Sequence, residues 1–159
     1  IMKYIKKSLD FETTNKNIFE DRIYRNAVLI TPGIYRDSAS RKRIYYNRNV
    51  LEKCAPSWPN KVYLNLDHGK SVLDRVGYVD KIHWDKEKIV GDLHILPITS
   101  RSRDIISLID NNIIDSLSIE AVTDEIYNSE LDCLELNDIE ITGVSIVTSP
   151  ACEDSKINS

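Results

Sequence analysis

Apolar and polar residues alternate over several segments of the chain, and this period of two predicts a mainly β protein. Arg22–Ile30 is rich in residues that favour strands, and the turn sequence Thr31-Pro32-Gly33 follows it. Lys61–His68 alternates most clearly, and the pattern places His68 on the apolar face at the end of that strand. Further strands are predicted over residues 72–84, 89–96, 114–122, 125–127, 131–136 and 139–148.

Two segments have helical spacing instead. Asn49 can cap a short helix that ends before Pro56. Apolar residues at helical spacing predict a second helix over 100–112, capped by Ser100 or Ser102. Many short strands with two helices predict an α+β, mainly β fold, in which a few helices pack around a small antiparallel β-barrel.

The composition is that of a soluble globular protein, with 42% hydrophobic and 29% charged residues. We predict one domain over residues 1–152 and a polar, frayed tail over residues 153–159. No apolar run approaches the ~20 residues that a membrane span needs. The 3 cysteines form no CxxC pair, which argues against a disulfide framework and favours a reducing, cytoplasmic setting. The 3 histidines lack metal-ligand spacing and no glycine-rich phosphate loop occurs, so neither a metal nor a cofactor is predicted.

Charge is distributed unevenly along the chain. Residues 1–103 carry 20 basic and 12 acidic side chains, whereas residues 104–159 carry 1 basic and 13 acidic ones. Such asymmetry can orient a partner or steer a charged substrate. The densest basic stretch, Arg36–Arg48, contains tyrosines and could follow a phosphate backbone, but a solvated or mobile loop is the simpler interpretation. Because the whole chain is acidic, we do not expect nucleic acid as a partner.

Two residues are candidates for chemistry on local grounds. His68 lies where a strand ends and the chain turns, and a histidine at such a rim can act as a general base. It can equally be a turn histidine with only a structural role. Ser118 lies within a strand and shares a face with Ser116 and Glu120, but a strand serine is inert until a base removes its proton. Neither residue alone supports a function.

The order of several short motifs is more informative than any one of them. The strand that ends in Leu66-Asp67-His68, followed by Arg75-Val76-Gly77-Tyr78-Val79, resembles the histidine motif of tailed-phage prohead maturation proteases, and herpesvirus assemblins carry a similar run. Asp115-Ser116-Leu117-Ser118-Ile119 is similar to the serine motif of that family. Three further segments resemble its entry, middle and closing elements: Asn47–Lys53, Val90–Ile95 and Gly143–Ala151.

The resemblance covers roughly residues 22–152 and implies an assemblin-like fold, a small β-barrel surrounded by helices. It also implies a serine endopeptidase that cleaves scaffold and capsid-protein segments during procapsid maturation. Carried over residue by residue, Ser118 is the nucleophile and His68 the general base. Backbone N–H groups would have to stabilise the oxyanion, because the sequence offers no obvious side-chain donor.

The third catalytic position departs from the family pattern. Family members place a Glu, or in assemblins a His, just before the closing strand, where this chain has Gly143. Glu140 is the nearest preceding acid and is our predicted substitute, provided that the strand bulges at its start. Asp138 and Glu120 are alternatives, and a Ser–His dyad without a third member is another.

The resemblance further implies partners and a location. The major capsid protein and the scaffold protein are the expected substrates, a homodimer is the expected assembly, and the interior of the procapsid in the host cytoplasm is the expected site of action. Two rival functions remain at this point. One is a catalytically degenerate module of the same fold that serves capsid assembly, and the other is a nucleic-acid-binding barrel that uses residues 36–48.

Overall fold

The computed structural model describes residues 20–37 and 40–157 of the chain. The beginning of the predicted domain, residues 1–19, and the last two residues of the predicted tail lie outside this range. The strands and α-helices of the described residues are β1 (Arg22–Ile30), β2 (Gly33–Arg36), β3 (Arg43–Tyr46), α1 (Arg48–Cys54), β4 (Lys61–Leu66), β5 (Arg75–Asp85), β6 (Lys88–Ile95), α2 (Ser100–Asp110), β7 (Ser116–Asn128) and β8 (Cys133–Val147). Two single-turn 3₁₀ helices, Ala55–Ser57 and Val72–Asp74, precede β4 and β5 respectively.

The strands form one mixed sheet with the order β1-β6-β5-β4-β8-β3-β2, and β7 pairs with β8. Most neighbours are antiparallel, but β8 runs parallel to both β3 and β4. The prediction of a mainly β protein with two helices is therefore confirmed, whereas the prediction of a purely antiparallel sheet is wrong. The reason lies in the connection from β3 to β4, because α1 carries the chain back so that both strands run in the same direction along β8.

The prediction of a β-barrel is not confirmed, because hydrogen bonds between the strands do not close the sheet in the described part of the chain. Residues 155–157 lie instead between β1 and β7. The Val28 N–H donates to the Lys156 carbonyl at 2.9 Å, and the Leu117 N–H donates to the Ser155 carbonyl at 2.9 Å. Ser155 and Ile157 are buried there. The prediction of a frayed tail is thus wrong for residues 155–157, because a short sequence of mixed polarity does not reveal that its backbone joins two sheet edges.

Strands β7 and β8 form a long hairpin where the sequence pattern predicts four shorter strands. The pairing shifts register between Glu120 and Ala121, which leaves Thr142 as an extra residue, and it shifts again between Asp124 and Glu125. A bulge interrupts the alternation of polar and apolar residues without ending the strand. The pattern therefore divides each long strand at the point where the structure only bends it.

Parts of the stretch 36–48 form secondary structure where we predicted a solvated or mobile loop. The stretch ends β2, contains β3 and begins α1, and Ile44 of β3 is buried. Arg48 stacks over Trp84 and donates to the Lys86 carbonyl at 2.9 Å. The strand character of this stretch is hard to see in the sequence because most of its side chains are basic or aromatic.

Both helices are capped by residues that precede the predicted caps, so the predictions of Asn49 and of Ser100 or Ser102 as caps are wrong. Asn47 caps α1 by accepting from the Val50 N–H at 2.8 Å, and its amide donates to the Leu136 carbonyl at 3.0 Å, which joins the helix to β8. Thr99 caps α2 in a reciprocal arrangement with Ser102. Neither helix in the described residues has the length and apolar character required to cross a membrane.

One face of β4, β7 and β8 packs into the core, to which β1, β5 and β6 also contribute. Leu64, Leu117 and Val144 are each fully buried there, and the other faces of the same strands carry polar residues. Burying a Leu side chain contributes about 2 kcal/mol or more, so the apolar face fixes which residues of these strands point away from the core. The candidate site lies on that opposite, polar face.

Candidate active site

Two rungs of the sheet bring polar residues of β4, β8 and β7 together. Residues that are paired across neighbouring strands point to the same face, and residues two apart in one strand do so as well. The first rung consists of Asn65, Ser145 and Ser118, and the second consists of Tyr63, Gly143 and Glu120.

His68 reaches this face from a tight turn after β4. Asp67 and His68 both have left-handed backbone conformations, with φ of 51° and 53°, which non-glycine residues adopt at a cost. The His68 N–H donates to the Ser145 hydroxyl at 2.9 Å, and the Gly69 N–H donates to the Leu66 carbonyl at 2.8 Å. The prediction that His68 lies on the apolar face is wrong, because β4 ends at Leu66 and the turn directs the ring to the polar face.

Glu120 is the carboxylate beside the histidine ring. His68 Nδ1 lies 3.1 Å from Glu120 Oε2, and the Ser145 hydroxyl donates to the same oxygen at 2.9 Å. The Tyr63 hydroxyl donates to Oε1. Burial opposes ionisation of Glu120, but the hydrogen bonds from Tyr63, Ser145 and His68 outweigh it and hold the pKa of the carboxyl below its usual range. Glu120 is therefore an ionised, fixed acceptor for the ring.

Ser118 is half-buried on β7, directly opposite Ser145. Together with His68 and Glu120 it lines a cleft of about 810 Å³. Ser118 and His68 also line a smaller cavity of about 170 Å³ beside the segment 147–149. No hydrogen bond joins the Ser118 hydroxyl to the His68 ring within the described residues, but both side chains face the same two spaces.

Glu140 and Asp138 lie elsewhere. Glu140 is exposed and pairs with Val122, two residues along β7 from Glu120, and it does not line the cleft. The bulge that we required does occur, at Thr142, yet it does not bring Glu140 to the histidine. Asp138 accepts a hydrogen bond from the Cys54 thiol at 3.3 Å, on the side of α1. The carboxylate that contacts His68 is thus Glu120, which we predicted only as an alternative to Glu140.

The sequence model of the Caudovirus prohead serine proteases matches residues 43–159, which include both motif residues, His68 and Ser118. The chain belongs to this family. It is therefore a serine protease of the type that acts in phage capsid assembly, and the resemblance drawn from the ordered motifs is confirmed.

One solved structure resembles this prohead protease along most of the chain. The capsid assembly protease gp21 of bacteriophage T4 superposes with a TM-score of 0.49 and 12% sequence identity, over 81% of this chain and 98% of gp21. No curated protein sequence matches the chain significantly.

Two residues of this candidate site were not predicted from the sequence. Ser145 is fully buried, and its hydroxyl accepts from the His68 N–H while donating to Glu120. Tyr63 donates to the other oxygen of Glu120. The alternation of apolar and polar residues placed Tyr63 on the polar face of β4, so the sequence did indicate the direction of its side chain. The parallel pairing of β4 with β8, which aligns Tyr63 with Gly143, has no signal in the sequence.

The nearest other serine has a different environment. Ser116 is buried, and its hydroxyl donates to the Asp115 carboxylate at 3.1 Å. It pairs with Val147 and does not line the cleft. No group of three or more side chains suited to hold a metal ion occurs within residues 20–37 and 40–157.

Proposed function

We propose that Ser118 is the nucleophile of this prohead serine protease, that His68 is its general base, and that Glu120 orients the base in place of Glu140. The observation that carries this assignment is the 3.1 Å contact between His68 Nδ1 and Glu120 Oε2 on the face that also carries Ser118. An ionised carboxylate on Nδ1 holds the proton there and leaves Nε2 as the basic nitrogen.

The chemistry follows from that tautomer. His68 Nε2 takes the proton from the Ser118 hydroxyl while Oγ attacks the carbonyl carbon of the scissile peptide bond. The C–N bond then breaks, the leaving amine takes the proton from the imidazolium, and Oγ stays bound to the acyl group. Water, activated by the same nitrogen, releases the acyl group and restores the Ser118 hydroxyl. Glu120 stabilises the imidazolium in both halves of the reaction.

We assign the substrates from the family. Segments of the scaffold protein and the major capsid protein are the peptides to be cleaved, inside the procapsid in the host cytoplasm, and the protease acts as a homodimer. The cleft beside Ser118 supports a peptide substrate, since about 810 Å³ accommodates several side chains of an extended chain.

The test is to produce the protein in bacteria together with the scaffold and major capsid proteins of its phage. Intact-mass spectrometry then follows each chain over time. We expect new amino termini in the scaffold and capsid proteins with the wild type, and none with Ser118→Ala or His68→Ala. Ser116→Ala is the matched control, because its hydroxyl is bonded to Asp115 and should not be needed.

Two results would overturn the proposal. Cleavage by Ser118→Ala at the wild-type rate would move the nucleophile to another residue. Assembled procapsids with no cleavage by any form of the protein would favour the rival function, a degenerate module that serves assembly only.

A further inference from the structure

Tyr63, Gly143 and Glu120 occupy one rung across three adjacent strands. Tyr63 pairs with Gly143 across β4 and β8, and Gly143 pairs with Glu120 across β8 and β7. Adjacent strands lie about 4.8 Å apart, so Tyr63 and Glu120 are separated by two strand spacings, about 10 Å. Only a long side chain that crosses the middle strand can join them.

The glycine in the middle strand makes that crossing possible. A Cβ atom added to Gly143 would lie closer to the Tyr63 ring carbons Cε1 and Cζ than van der Waals contact allows. The Tyr63 ring therefore occupies the space that a side chain at position 143 would fill. Its hydroxyl then reaches Glu120 Oε1 on the far strand.

Both ends of this bridge are held. The Arg75 guanidinium lies 4.3 Å above the Tyr63 ring, and its Nε donates to Asn65 Oδ1 at 3.2 Å. At the other end, Tyr63 occupies Oε1 of Glu120, while Ser145 and His68 share Oε2. Because both carboxylate oxygens have hydrogen-bond partners, the carboxylate cannot rotate without breaking a hydrogen bond.

We infer that Tyr63 is a positioning residue that holds Glu120 toward His68, and that Gly143 is glycine so that the Tyr63 ring can cross β8. The effect on cleavage rests on the proposed roles of Ser118 and His68. The effect on the histidine ring does not, because it follows from the hydrogen bonds alone.

The first test uses Tyr63→Phe, which keeps the ring and removes the hydroxyl. Nitrogen-15 NMR of labelled histidine, recorded in a Ser118→Ala background, reports the tautomer of His68. We expect the Nδ1–H tautomer where Tyr63 is intact and a mixture of tautomers in the Tyr63→Phe variant. Tyr78→Phe is the matched control, since Tyr78 pairs with Tyr63 on the neighbouring strand and stacks on His94 instead. An unchanged His68 spectrum in Tyr63→Phe would overturn the inference.

The second test is a double-mutant cycle on cleavage. Tyr63→Phe should lower kcat about tenfold and leave KM unchanged. The substitution removes the hydrogen bond from the Tyr63 hydroxyl to Glu120, so Glu120 holds the His68 ring less firmly. In a Glu120→Gln background the same change should have no further effect, whereas a structural role would lower kcat equally in both backgrounds. Equal losses of kcat in the two backgrounds would overturn the inference. A wild-type chain that cleaves nothing would refute the proposed function, and the NMR result alone would then decide whether Tyr63 positions Glu120.

The role of Gly143 is tested by stability. Gly143→Ala should lower the melting temperature because the new methyl group meets the Tyr63 ring. In the double variant of Gly143→Ala and Tyr63→Ala, the melting temperature should fall by less than the sum of the decreases in the two single variants. Strict additivity would overturn the claim that the ring fills the space above the glycine.

Discussion

Replacing Glu120 by glutamine changes one carboxylate oxygen to an amide group and leaves the size of the side chain almost unchanged. Glu120 Oε2 accepts from Ser145 at 2.9 Å and from His68 at 3.1 Å, and Oε1 accepts from Tyr63. A glutamine that places its NH₂ group at the position of Oε2 presents a donor to the Ser145 hydroxyl and to His68 Nδ1. His68 then has to accept at Nδ1, which moves its proton to Nε2. A glutamine turned the opposite way keeps an acceptor for His68 Nδ1–H but loses the negative charge beside the imidazolium.

The expected loss can be estimated from these contacts. A hydrogen bond to a charged group contributes about 1.5–3 kcal/mol, more than a neutral one. Removing that amount of transition-state stabilisation lowers the rate about 10- to 150-fold. We therefore expect Glu120→Gln to lower the single-turnover rate constant for scaffold cleavage by at least about tenfold.

The assay is the single-turnover rate of scaffold cleavage by purified enzyme, with circular dichroism to show that each variant is folded. Glu140→Gln is the matched control, because Glu140 is exposed and pairs with Val122 away from the cleft. Its rate should stay within about twofold of the wild type. A slow Glu140→Gln beside a normal Glu120→Gln would refute the reasoning, and two normal rates would show that the site works as a Ser–His dyad.

Three further predictions concern stability and a neighbouring serine. The folded-state pKa of Glu120 is lowered, so its ionised form stabilises the fold at pH values above its ordinary pKa, and this stabilisation should disappear as the pH falls through the lowered value. Denaturant unfolding should therefore show a difference between wild type and Glu120→Gln that shrinks in acid. Ser116→Ala should keep cleavage within about twofold of the wild-type rate, since that hydroxyl is buried against Asp115. Ile157→Ala should lower the free energy of unfolding by about 2–4 kcal/mol in the same denaturant assay, whereas the exposed Glu153→Ala should change it by less than about 0.5 kcal/mol.

The local pattern predicted the elements that have regular periods. Arg22–Ile30 is the strand β1 as predicted, and the helix predicted over 100–112 is α2 with its end two residues earlier. These segments carry their own signal, because alternation or helical spacing depends only on neighbours in sequence. The bulges in β7 and β8 have no such local signal, and they misled the pattern into shorter strands.

The site was predictable only in part for the same reason. His68 and Ser118 stand in ordered motifs, so a resemblance could find them, and family membership supports that resemblance. Glu120 contacts His68 because β7 pairs with β8 and β8 runs parallel to β4, which is a property of the sheet and not of any segment. Proximity in sequence to the closing strand favoured Glu140, but proximity across strands places Glu120 beside the ring.

The proposed role of Ser118 as a nucleophile activated by His68 and Glu120 is tested most directly by covalent labelling. A fluorophosphonate reacts with an activated serine, and peptide mapping by mass spectrometry identifies the residue that carries the label. We predict that the wild type is labelled at Ser118, that His68→Ala is not labelled, and that Glu120→Gln is labelled at least about tenfold more slowly while Glu140→Gln reacts normally. Labelling at another serine, or labelling of Ser118 at the same rate in His68→Ala, would contradict the account.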